Sequence, residues 1–197
     1  MHGWTGGWLG GEELSIKIPE AASKLKFIQG WIYLENCYER YLECTGGRND
    51  VDFLSIDIDS NDLYLAEELL RRGVKSSVIV VEYNGKFPPP VRFSIAYEAD
   101  HVWFQHLHGD YMGASLQSYS DLLRNYDYFP VACNVTGLNA FFVHAEHKNK
   151  FLDVPDRLED LFVPAEYVHP QSCGHWTSAK TIEAFLADQS KRVGATK

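Results

Sequence analysis

Residues 51–62 read VDFLSIDIDSND, an apolar run that passes directly into acids. Val51, Phe53, Leu54, Ile56 and Ile58 have the β-branched and aromatic character of a central strand. Asp57, Asp59, Asn61 and Asp62 crowd at or beyond its carboxyl end. Open α/β sheets bind their ligands at that edge. Strand alternation puts Asp57 and Asp59 on one side and Ile56 and Ile58 on the other.

The next residues fix the topology. DLYLAEELLRR, 62–72, places Leu63, Ala66, Leu69 and Leu70 on one helical face, starts on an acid, ends on two arginines and is followed by Gly73. A second apolar run, SVIVVEYN at 77–84, closes on Glu82 and Asn84. Strand, helix and strand make a βαβ unit, with the two strands parallel neighbours and a right-handed crossover. Their ends would aim four or five oxygen ligands into one crevice.

Working outward, ENCYERYLEC at 35–44 reads as a helix ended by Gly46 and Gly47, and LKFIQGWI at 25–32 as a strand before it. Residues 14–24 read as loop and short helix around Pro19, and the glycine-rich 3–11 as a short strand running into a loop. On the other side, 85–113 has little period and reads as a mobile cover over the strand ends. A helix is predicted at 114–126, strands at 128–133 and 140–143 that pair antiparallel, and a last helix at 177–188. Residues 1–147 form the domain in this reading, and 148–197 a polar tail with its final helix.

Composition narrows the class. At 197 residues and 45% hydrophobic content the chain supports one sizeable core. A formal charge of -9 argues against nucleic acid and against an anionic membrane, leaving small molecules or proteins as partners. No apolar run reaches the roughly 18 residues of a membrane span. The amino terminus lacks the pattern of a signal peptide, and the cysteines at 37, 44, 133 and 173 form no CxxC pair, so a reducing cytoplasm with free thiols is expected.

Each candidate residue has a plainer role beside its functional one. Asp57 or Asp59 can bind a ligand or cap the following helix, as Ser60 and Asn61 also can. Glu82 can serve a site or anchor a loop. Gly113, Ala114 and Ser115 form either a close approach to a ligand or an ordinary helix cap. Asn139 either reaches the crevice or steadies the turn after Gly137. His106, His108 and Asp110 alternate with a metal-like spacing but read as loop residues, and His175 stands isolated.

Taken in order, LSIDIDSND, VVEYN with FPPP after it, YMGASL and GLNAFFV resemble the Rossmann-like S-adenosylmethionine-dependent methyltransferases, in particular the FkbM-type and related branches. The likeness covers about residues 1–145. It implies an α/β three-layer sandwich with a mostly parallel sheet and an antiparallel strand near the carboxyl-terminal end, and methyl transfer to a hydroxyl of a small molecule or sugar. Asp57 and Asp59 then take catalytic positions, Glu12 and Asp57 cofactor-binding ones, and Glu82, Asn84, Ser115 and Asn139 substrate-binding ones. Related metal-dependent O-methyltransferases imply Asp57, Glu82 and Asn84 as ligands of a divalent ion, and oxygen-only ligands suit Mg²⁺. The family's first strand and glycine turn have no counterpart here, and no GxGxxG occurs. The expected ribose-binding acid falls near Gly10, with Glu12 just behind. The chain therefore reads as amino-terminally truncated, with weak cofactor binding or none, and a non-catalytic binding module on the same scaffold is the alternative.

Overall fold

The β-branched runs pair as their alternation requires. The computed structural model describes residues 26–101, 109–165 and 178–194. In chain order the elements are α1 (Cys37–Thr45), β1 (Asp50–Ile56), α2 (Asp62–Arg71), β2 (Lys75–Glu82), α3 (Leu116–Arg124), β3 (Tyr128–Cys133), β4 (Asn139–His144), a 3-10 turn (Ala145–Lys150), the short α4 (Leu158–Leu161) and α5 (Ala179–Gly194).

The strands form one four-stranded mixed sheet in the order β1-β2-β4-β3. β1 and β2 are parallel, in register from Asp50 opposite Lys75 to Ile56 opposite Val81. β4 lies antiparallel between β2 and β3. Three strands therefore point one way and the last runs against them, as the alternation and the short turn at Thr136-Gly137 predict.

One face of the sheet carries Leu54, Ile56, Ile79, Val81, Ala140 and Phe142. Leu65, Ala66, Leu69 and Leu70 of α2 and Leu116, Tyr119 and Leu123 of α3 close over it. The other face turns Phe53 outward at 57% exposure. A third layer over β1 is not found among the described residues.

Three expectations are corrected. LKFIQGWI forms no strand over its described part, 26–32. Asn36 takes up the local backbone instead, accepting from Tyr33 N and donating to Trp31 O, so a side chain competes with any ladder. Residues 85–101 are aperiodic but not a loose cover. Phe93 and Ile95 are 1% exposed, Ser94 bridges Ala114, and the Tyr64 hydroxyl donates to Ile95 O. Lastly, the segment read as a tail belongs to the same body. Tyr83 donates to Val163 O, Leu158 and Phe162 join the main core, and Phe185 of α5 stacks on Phe87.

A backbone junction fixes that last segment. Gly137 has φ +70°, and a β-carbon there would lie 2.1 Å from Pro164 O. A β-carbon on Gly85 would lie 2.7 Å from Gly137 O and 2.8 Å from Ala165 N. Three stretches of main chain meet where only glycine leaves room.

Candidate functional site: a carboxylate cluster at the strand ends

Asp57 follows Ile56, the last residue of β1, and Glu82 follows Val81, the residue that pairs with Ile56. Asp59 lies on the loop between β1 and α2 at φ +60°, a left-handed conformation that aspartate tolerates better than most residues. Together Asp57, Asp59 and Glu82 offer carboxylate oxygens that all lie within 4.8 Å of one another. Asp57 and Asp59 are exposed and Glu82 is half-buried.

Asp62 shapes this loop. Its carboxylate is 1% exposed and accepts from Ile58 N at 2.8 Å and Ser60 N at 2.9 Å. The chain is thereby wound around one side chain, turning the flanking Asp57 and Asp59 to the solvent side. Neither of them caps α2. Asn61 occupies the cap position but makes no cap bond with its side chain, which instead joins the backbone of Glu98 through both amide atoms. Asp62 stands out in the sequence as an acid in a first helical turn, a pattern that signals dipole compensation rather than loop winding.

The electrostatics follow from crowding. Burial first, then the charges of Asp57, Asp59 and Asp62 and a hydrogen bond with Asp57, push the Glu82 carboxyl up to about 8. Partial desolvation of its carboxyl, although the residue as a whole is exposed, and then the charge of Asp57 raise Asp59. Burial raises Asp62 to about 6 against the pull of its backbone donors. Within electrostatic reach of the cluster, the Tyr119 hydroxyl is fully buried and has no hydrogen-bond partner among the described residues. Burial, then the charges of Asp62, Glu82 and Asp57, raise its pKa well above the ordinary tyrosine value.

No family model, curated protein or solved structure matches the chain.

Of the other predicted site residues, Asn139 sits directly opposite Glu82 in the β2–β4 ladder and so shares its face of the sheet. Asn84 is not part of the cluster. Its amide nitrogen donates to Asp110 O at 2.8 Å and Met112 O at 3.3 Å, and its oxygen accepts from Lys86 N. Ser115 takes the second of its two roles, the helix cap. It is 0% exposed, caps α3 by accepting from Ser118 N, accepts from Phe93 N and donates to Val91 O. Ser115→Ala is expected to cost about 2 kcal/mol in urea unfolding while leaving cation binding at the cluster unchanged. Glu12, His106, His108 and His175 lie outside the described residues. Cys37, Cys44 and Cys133 are free thiols.

A cavity of about 250 Å³ opens at the other end of the sheet, lined by Arg48, Asp50, Asp52, Lys75, Ser76 and Glu146 among others. Its charges answer one another, Lys75 pairing with Glu146 at 2.8 Å. The excess of one sign is at the strand carboxyl ends. No described helix is long and apolar enough to cross a membrane.

Proposed function

We propose that the chain is a methyltransferase-like domain whose acidic crevice holds a divalent cation and activates a hydroxyl of a small molecule or sugar for methylation. The observation that carries this reading is the trio Asp57, Asp59 and Glu82 at the ends of two adjacent parallel strands. The order β1-β2-β4-β3, with an antiparallel strand inserted last, supports the same scaffold.

The donor set fits a hard ion. Three carboxylates, with no sulfur or imidazole beside them among the described residues, suit Mg²⁺ or Mn²⁺. Such an ion would supply Lewis-acid polarisation of the acceptor hydroxyl. The protein's own part is to hold the acceptor and receive its proton. Glu82 is placed for that, at the strand end between the two aspartates and Asn139. Asn139, beside it, offers an amide to a second hydroxyl of a polyol.

S-adenosylmethionine would supply an electrophilic methyl group on sulfur. No glycine-rich nucleotide cradle is among the described residues, so binding in the 197-residue chain is expected to be weak. The test uses methyl-labelled S-adenosylmethionine at millimolar concentration with a panel of sugars and polyols. Label should pass to an acceptor with Mg²⁺ present, and not with chelator or in Asp57→Asn. No transfer to any acceptor, together with retained cation binding, would leave a non-catalytic module as the reading.

A further inference from the structure

Asp110 lies outside the carboxylate cluster, is 2% exposed and has both carboxylate oxygens engaged. Its Oδ1 accepts from Ser178 N at 2.9 Å and from the Thr181 hydroxyl at 2.6 Å, and its Oδ2 meets Lys86 Nζ at 3.2 Å. Ser178 and Thr181 flank the start of α5, and Thr181 is 0% exposed. The helix is thus latched to the 109–114 turn by a buried carboxylate.

That turn bonds to both loops of the candidate site. Gly113 N donates to Ser60 O at 3.1 Å, next to Asp59. Asn84 N donates to Ala114 O at 2.8 Å, and the Asn84 amide donates to Asp110 O, two residues beyond Glu82. A second route runs beside the first. Lys180 of α5 pairs with the Glu98 carboxylate at 3.0 Å, and the Glu98 backbone is held by the Asn61 side chain at 2.9 Å. Asn61 lies between Ser60 and Asp62 in the acidic loop.

We propose that Asp110 is a positioning residue, and that α5, through Thr181 and Asp110, holds Asp57, Asp59 and Glu82 at cation-binding separation. The inference rests on the cation reading above. Crowded carboxyl groups repel as they ionise, and bracing their loops lowers what the ion must do on binding. Residues that orient ligands in this way cost roughly 10–100-fold in metal affinity when altered.

The test compares the wild-type chain with Thr181→Val, Thr181→Ser and Asp110→Asn, all full length. Mn²⁺ affinity is read from the paramagnetic resonance of the free ion, and backbone exchange at Ser60 and Gly113 from hydrogen–deuterium exchange without metal. Thr181→Val and Asp110→Asn should weaken Mn²⁺ binding roughly tenfold and speed exchange at both amides, while β1 and β2 stay protected. Thr181→Ser, which keeps the hydroxyl, should behave as wild type. Unchanged exchange in both disruptive variants overturns the brace whether or not metal binds. Faster exchange with unchanged Mn²⁺ affinity overturns the positioning role. A wild-type chain that binds no Mn²⁺ removes the cation reading and this inference with it, and the exchange data then show separately whether the latch couples the loops.

Discussion

In millimolar Mn²⁺ or Mg²⁺ the wild-type chain is expected to melt roughly 5–10 °C higher than in chelator, and Asp57→Asn to melt at one temperature in both. An ion at a hundredfold excess over its dissociation constant adds about 2.7 kcal/mol to the folded state. For a domain of this size each kcal/mol moves the midpoint by roughly 2–4 °C. Asp57, Asp59 and Glu82 lie within 4.8 Å of one another, so removing one charge takes away a ligand and a third of the attraction. Carboxylates held only by backbone donors would behave differently. Asp57→Asn would then lower stability equally with and without metal, and identical curves in all four conditions would exclude Asp57 from the site.

The second large effect is on pH. In chelator, Glu82→Gln should be more stable than wild type at about pH 9, and the advantage should vanish near pH 4. The folded Glu82 keeps its proton up to about 8, against an ordinary value of 4.5. The native state therefore holds the extra proton, and its stabilisation is complete below about 4.5 and lost as pH rises through about 8. The difference should be on the order of 3 kcal/mol, smaller than the full shift implies because the group is only half-buried. Asp59 and Asp62 are raised as well and are coupled to Glu82 by charge, so the difference between the two curves reports Glu82 together with that coupling. Urea unfolding at both pH values makes the comparison. Parallel curves would show that Glu82 ionises as an ordinary surface acid. With a cation present the order should reverse, since glutamine cannot supply the charge the ion requires.

The parts of this fold that local chemistry determines are the parts legible in the sequence. VDFLSI and SVIVVE alternate and are β-branched, the 62–72 helix carries its own charge pattern, and the hairpin strands at 128–133 and near 140–143 occur as read. The acids at 57 and 82 converge because parallel register brings the two strand ends side by side, and Asp59 joins them through the loop wound on Asp62. Distant partners decide the rest. Asn84 and Ser115 look available until their bonds to residues 22 to 28 positions away are seen. Phe93 and Ile95 show no period because hydrogen bonds from other segments set their path, not a helix or ladder of their own. LKFIQGWI has strand composition, yet Phe27 and Trp31 are 59% and 70% exposed and no strand among the described residues pairs with them.

The strand order also constrains the path by which the sheet is completed. Among the described strands β3 has a single hydrogen-bonded neighbour, β4, and β4 is what joins it to β2. As the chain emerges during synthesis, β3 appears first but has no edge to join until His144 has followed it. The β3–β4 hairpin is a local unit, with cheap loop closure, whereas its docking on β2 spans the whole 85–127 excursion. Gly137, in the hairpin turn, then presents the bare backbone against which Pro164 and Ala165 come to rest. That seat does not exist before the hairpin does, so the 158–165 segment is among the last pieces able to find its place.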